Sequence, residues 1–261
     1  MPFFTSDHAT IHYQTFGDAN KPALLFSNSL GTNLSMWQPQ IDYFKDQFFV
    51  ICYDTRGHGQ SSAPQGPYQL QDLGVDVIEL LDALNVNKAH FCGISMGGLT
   101  GQWLAIHYPE RFDHVVICNT AAKIGTEQAW LDRAKLVREQ GLEPIAQTAA
   151  SRWFTENFIQ NRAVVVENLS QNLAQGSVEG YANCCEALAK ADLRDEIKSI
   201  HLPVLIIAGQ QDPVTTVEDG RFLQQRIKNS QLFEINASHI SNLEQSHVFN
   251  QSLSNFLKTT L

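Results

Sequence analysis

The sequence predicts an α/β fold, a mostly parallel and doubly wound sheet with an inserted helical cap. Three observations predict it. Short apolar runs of strand length recur along the chain between turn residues, helical periods fall between those runs, and residues 121–191 carry helical periods with no clear strand. Short continuous apolar runs suit strands buried on both faces, and alternation of strand with helix builds a parallel sheet.

Taken in order, residues 9–16 alternate as a strand that pairs in a hairpin with residues 3–5 across Ser6-Asp7-His8. After the turn-rich Gly17-Asp18-Ala19-Asn20-Lys21-Pro22, the runs at 23–27, 48–53, 89–92, 114–118, 203–208 and 231–235 read as buried parallel strands. Leu70, Leu73, Val77, Leu80, Leu81 and Leu84 fall on one helical face, and a helix over 96–108 stops before Pro109. The stretches 127–139 and 142–154 are amphipathic helices of the cap, 216–228 is a helix between strands, and 243–257 is the last helix. The expected division is a core of residues 1–120 and 192–261 with a cap of residues 121–191. A chain of 261 residues is long enough for such a domain.

Composition narrows the function. With 43% hydrophobic and 17% charged residues, and no apolar run near the ~20 residues that cross a bilayer, no membrane association is expected. Eighteen basic against twenty-seven acidic residues give a net charge of −9, which repels phosphate backbones and excludes nucleic acid as a partner. The N-terminus has no basic segment followed by an apolar one, which predicts a cytoplasmic protein. Cys52, Cys92, Cys118, Cys184 and Cys185 are odd in number, lack C-x-x-C spacing and read as buried free thiols.

Gly93-Ile94-Ser95-Met96-Gly97-Gly98 follows a strand and opens a helix, the context in which G-x-S-x-G forms a nucleophile elbow. The turn strains the serine backbone, and side chains at the flanking positions would collide with the neighbouring strand and helix. It also sets Ser95 at a helix N-terminus, where N–H groups favour a developing anion. A serine hydroxyl needs a histidine base oriented by a carboxylate. Asp212 stands just after the strand at 203–208 and His239 just after the strand at 231–235. Both lie at the carboxyl edge of a parallel sheet, in the chain order Ser, acid, His.

Rival residues fit less well. His201 precedes its strand, His247 falls inside the last helix, and Glu218 and Asp219 belong to a helix's first turn. Asn119 cannot carry the charge, and His58 in a glycine-rich loop reads as a structural hydrogen-bonder. The oxyanion requires two backbone donors, assigned to Met96 beside the serine and to Leu30 in the loop Asn28-Ser29-Leu30-Gly31-Thr32. No cluster has metal-ligand spacing and no phosphate loop is present, so no cofactor and no metal is expected.

The elbow, the loop Asp54-Thr55-Arg56-Gly57-His58-Gly59-Gln60-Ser61, Asp212 and His239 make the chain resemble an α/β-hydrolase over its whole length. The stretches around Asn28 to Trp37, Gly93 to Trp103, Arg152-Trp153-Phe154-Thr155 and Ala237-Ser238-His239-Ile240-Ser241-Asn242 are similar to the 3-oxoadipate enol-lactonases. That resemblance implies opening of β-ketoadipate enol-lactone in the breakdown of protocatechuate and catechol. One departure from the wider superfamily is Asn28-Ser29 in place of His-Gly.

A lactone with a carboxymethyl arm requires a local cation, and the cap holds seven basic residues: Lys123, Arg133, Lys135, Arg138, Arg152, Arg162 and Lys190. Trp130 and Arg133 are one helical turn apart, so a ring wall and a guanidinium for the arm are one reading; a core tryptophan and a solvated charge are the other. Arg152 beside Trp153 is the second choice for that role. A general carboxylesterase, a cofactor-free perhydrolase and a non-catalytic binding protein are the rival functions; the binding protein is disfavoured by three intact triad positions.

Overall fold

A computed structural model describes residues 2–258. Its strands are β1 (Phe3–Thr5), β2 (Thr10–Phe16), β3 (Ala23–Ser27), β4 (Phe49–Tyr53), β5 (Ala89–Ile94), β6 (Phe112–Cys118), β7 (Val204–Gly209) and β8 (Ser230–Ile235). They form one sheet in the order β1-β2-β4-β3-β5-β6-β7-β8. The β1–β2 and β2–β4 pairs are antiparallel and every later pair is parallel. The central strands β3, β4, β5 and β7 are buried at every residue, which is why they read as continuous apolar runs. β8 differs from the expectation: as the edge strand it is only half-buried along most of its length.

The helices are α1 (Gln38–Phe44), α2 (Leu70–Ala83), α3 (Met96–His107), α4 (Glu127–Gln140), α5 (Glu143–Gln147), α6 (Ala149–Trp153), α7 (Glu156–Asn161), α8 (Ala163–Ala174), α9 (Val178–Lys190), α10 (Val217–Arg226), α11 (Ser241–Glu244) and α12 (Ser246–Lys258). α4 to α9 follow β6 without an intervening strand and precede β7. Among the described residues no helix is long and apolar enough to cross a membrane.

Two expected helices are broken. The stretch 142–154 becomes α5 and α6, parted at Thr148, whose backbone (φ −104°, ψ 1°) leaves the helical region. Arg152 occupies the break, donating to Thr148 Oγ1 at 2.6 Å and to the Ile145 carbonyl at 3.0 Å. The last helix likewise splits at Gln245 (φ −126°, ψ 48°) into α11 and α12. α1, which starts with a proline in its first turn, has no counterpart in the expectation because it is too short to display a period.

The helical insertion meets the loop after β4 in close backbone contact. A Cβ on Gly57 (φ +76°) would lie 2.5 Å from Gly180 Cα, and one on Gly180 would lie 2.3 Å from Gly57 Cα. Only glycine at both positions lets α9 touch the loop after β4. That loop is itself fixed by Arg56, which pairs with Asp76 of α2 through two hydrogen bonds of 2.7 Å, both side chains being buried. Within the insertion, Arg138 of α4 bonds Glu179, Asn183 and Glu186 of α9. All five cysteines are buried and outside any disulfide, and burial holds the Cys185 thiol up at about 12.

Candidate active site

Ser95 sits between β5 and α3 at φ 57°, ψ −114°, an angle pair that costs energy for a residue with a side chain. Its backbone is held on both sides: the N–H donates to the Cys118 carbonyl at 2.9 Å and the carbonyl accepts from Thr120 Oγ1 at 2.8 Å. The glycines around it are sterically obligatory. A Cβ on Gly93 would lie 2.3 Å from the Gly97 carbonyl oxygen, and one on Gly97 would lie 2.4 Å from that of Ser27.

Asp212, in the loop after β7, accepts five hydrogen bonds. The Val214 and Thr215 N–H groups donate to Oδ1 at 2.7 and 3.1 Å; Thr215 Oγ1, Asn119 Nδ2 and His239 Nδ1 donate to Oδ2 at 2.9, 3.1 and 2.8 Å. Burial pushes its carboxyl upward, yet the His239 charge and these hydrogen bonds outweigh burial and hold it below the usual carboxylate range. The bond to Asp212 places the proton of neutral His239 on Nδ1 and leaves Nε2 as the free acceptor.

Ser95 and His239 line one cavity of about 270 Å³, together with Ser29, Leu30, Trp130, Arg133, Arg152, Trp153 and Tyr181. Met96 is buried and is not among the lining residues. Among the described residues the Leu30 and Met96 N–H groups have no protein hydrogen-bond partner, whereas the next N–H in each segment is engaged: Gly31 donates to His58 Nε2 at 2.9 Å and Gly97 to the Asn28 carbonyl at 3.0 Å. His58 is therefore a brace for the Leu30 loop. Its Nδ1 lies 3.3 Å from the Arg56 carbonyl, burial lowers its pKa, and the neutral ring satisfies both contacts. Asn28 braces the same loop, accepting from Trp37 Nε1 at 2.9 Å and donating to the Tyr53 carbonyl at 2.7 Å.

Among the described residues no aspartate or glutamate lines the cavity, although two guanidiniums do. Lys123, Lys135, Arg138 and Lys190 are paired with carboxylates; Arg133 and Arg152 have no such partner among the described residues, and Arg162 is exposed away from the cavity. Arg133 lies over the Trp130 ring, 5.0 Å from its centroid, and the Trp130 Nε1–H donates to the Ile124 carbonyl at 2.5 Å. Burial, and then the charge of Arg133, lower the pKa of Arg152 from its ordinary value. Two unneutralised cations in a partly closed cavity make it a place for an anion.

Asn119 and Tyr181 were not legible as contributors. Asn119 (φ 44°) bonds Asp212, the Ser238 carbonyl and Ser241 Oγ, and its position at the carboxyl end of β6 was the available signal. Tyr181, in the first turn of α9, gave no signal apart from that of a core aromatic. His201 and His247 are exposed and do not line the cavity.

A family model described as the alpha/beta hydrolase fold matches residues 22–246. The chain is 64% identical to 3-oxoadipate enol-lactonase 2 of Acinetobacter baylyi, with 99% of each covered, and 50% identical to 3-oxoadipate enol-lactonase 1 of the same organism, with 96% and 94% covered. The crystal structure of the enol-lactonase from Burkholderia xenovorans superposes with a TM-score of 0.96 at 42% identity, covering 98% of this chain and 99% of that one. The strained serine turn, the parallel sheet and the full-length matches agree, and the chain belongs to the α/β-hydrolase family.

Proposed function

We propose that the protein is a serine hydrolase that opens β-ketoadipate enol-lactone to 3-oxoadipate, a step in the breakdown of protocatechuate and catechol. Residues 121–191 act as a cap over a core of residues 1–120 and 192–261. The observation that carries the substrate class is the pair Arg133 and Arg152, unneutralised in a cavity that also presents Ser95 and His239. The full-length similarity to enol-lactonases supports the same reading.

In this reading His239 Nε2 takes the Ser95 proton as Oγ attacks the lactone carbonyl carbon. The oxyanion is held by the Leu30 and Met96 N–H groups, each such donor contributing about 3–4 kcal/mol to barrier lowering. Collapse breaks the ring C–O bond, and His239 returns its proton to the enol oxygen. The enol ketonises, which draws the reaction forward. Water then gives a proton to His239 and attacks the acyl carbon, and Ser95 leaves with that proton. Asp212 keeps the imidazole oriented and stabilises its charged form. Arg133 binds the carboxymethyl arm, with Arg152 beside it, while Trp130 and Trp153 wall the ring.

The test compares kcat/KM of the purified protein on the enol-lactone and on p-nitrophenyl acetate, a neutral ester. A large preference for the lactone is expected. A large preference for the neutral ester overturns the lactonase reading in favour of a general carboxylesterase.

A further inference from the structure

His239 lies in a loop whose flanks are tied to the helical insertion, one directly and one through Glu244 of α11. On one flank the Ser238 N–H donates to Glu244 Oε2 at 2.9 Å, and on the other the Ile240 N–H donates to the Trp153 carbonyl at 2.9 Å. The Glu244 carboxylate also accepts from the Thr155 hydroxyl, and the Thr155 N–H lies 3.4 Å from each of its oxygens. Trp153 and Thr155 bracket Phe154, the extended residue (φ −135°, ψ 156°) that joins α6 to α7. Arg152 and Trp153, immediately before it, line the cavity. The segment that walls the cavity and the loop that carries the histidine therefore share one carboxylate.

The chemistry of that carboxylate suits a two-armed clamp. Glu244 is half-buried and has no cationic partner among the described residues, so its acceptor capacity is directed at neutral donors on two segments, one near it in sequence at Ser238 and one far from it at Thr155. Hydrogen bonds to an ionised acceptor are roughly twice as strong as neutral ones. A glutamine of the same length would present one acceptor oxygen and one amide donor, and so could serve only one arm fully. Asp212 fixes the imidazole through Nδ1, but it does not hold the backbone on which the ring is mounted. Ring placement needs both restraints.

We propose that Glu244 is a positioning residue that couples the α6–α7 segment of the cap to the His239 loop, so that seating of the cap on a substrate sets the placement of the base. The proposal rests on the reading of Ser95, Asp212 and His239 as the catalytic set. Binding against Arg152 and Trp153 is transmitted along the backbone to Thr155 and from there through hydrogen bonds to Glu244 and Ser238. Misplacement of a reacting group by about 1 Å costs on the order of a hundredfold in rate, so losing one arm is felt at the chemical step.

The test reads the rate at which a fluorophosphonate labels Ser95, which reports the serine and its base whatever the natural substrate is. Alongside it go kcat and KM on the lactone and on p-nitrophenyl acetate, the low-field proton NMR signal of His239 Nδ1–H, and the melting temperature. Glu244→Ala is expected to slow labelling and lower kcat on both substrates roughly ten- to a hundredfold, with KM changed by less than about threefold. The His239 signal broadens or shifts. Glu244→Gln falls between this variant and the natural protein, Thr155→Val, which loses the hydroxyl bond but keeps the Thr155 N–H beside the carboxylate, shows a smaller loss in the same direction, and Thr155→Ser restores activity. Thr155→Val leaves the bond to Ser238 in place and decides the matter if Glu244→Ala does not fold. Labelling at the natural rate in folded Glu244→Ala or in Thr155→Val overturns the coupling. If Ser95 of the natural protein is not labelled, the catalytic set fails and the coupling with it. If labelling follows the expected order but the lactone is not hydrolysed, only the substrate assignment falls.

Discussion

Under the proposed function, replacing Arg133 with alanine separates recognition of the substrate's arm from any other role of the helical insertion. A charge-assisted hydrogen bond is worth about 1.5–3 kcal/mol, or roughly 10- to 150-fold in kcat/KM. Two features of the cavity place the single variant at the lower end. Arg152 remains in the cavity as a second cation, and of the two causes that lower its pKa, burial first and the Arg133 charge second, the variant removes the second. Arg133→Ala is thus expected to cost about tenfold on the anionic lactone, and Arg133→Ala with Arg152→Ala about a hundredfold or more. The variant also loses the stacking on Trp130, about 0.5–1 kcal/mol of general stability, which appears in the melting temperature and not in substrate choice. The assay is steady-state kcat/KM on the enol-lactone and on p-nitrophenyl acetate for each variant. Equal losses on both substrates would refute recognition of the carboxylate by Arg133 and make the residue a support of the cap. Retention of full lactone activity in the double variant would refute anion binding by the cavity altogether.

Asp212→Asn keeps the shape of the loop but turns an acceptor into a donor toward His239, and is expected to lower kcat on the order of 10⁴-fold with little change in KM; a loss under tenfold contradicts the orienting role of the carboxylate. Acid stability depends on His90, whose Nδ1 lies 3.1 Å from that of His114 near the amino ends of β5 and β6. Burial, then the His114 charge, lower its pKa to about 4, with Lys88 acting in the same direction and Asp113 against it. A histidine kept neutral in the folded state binds fewer protons than in the unfolded state, so its contribution is complete above about 6.5 and is lost as pH falls toward 4. At pH 5 that amounts to about 2 kcal/mol. Denaturant midpoints at pH 8 and pH 5 check it: the natural protein should lose this much more stability than His90→Leu, and equal losses contradict the assignment.

What could be read from the sequence was whatever has a local signature. The elbow around Ser95 shows itself because a strained turn demands glycines at fixed offsets, and Asp212 and His239 show themselves because each follows a strand. Trp130 and Arg133 are neighbours on one helical face, so their juxtaposition followed from spacing. Asn119 acts through Asp212 and Ser238, and Glu244 reaches Thr155, partners about ninety positions or more away, and a long-range hydrogen bond leaves no period and no motif. The break at Thr148 was hidden for a related reason. The residues on either side keep helical spacing, and it is the Arg152 guanidinium, bonded to Thr148 and the Ile145 carbonyl, that completes the interruption.

The most direct measurement is kcat of Ser95→Ala on the enol-lactone, with circular dichroism and melting temperature to establish that the variant is folded. Removing the hydroxyl leaves the Leu30 and Met96 N–H groups and the two arginines in place, so substrate should still bind. Loss of kcat by several orders of magnitude with near-natural KM is expected of a serine nucleophile. Retention of more than about a tenth of the natural kcat contradicts attack by Ser95 and leaves hydrolysis to a water molecule held elsewhere in the cavity.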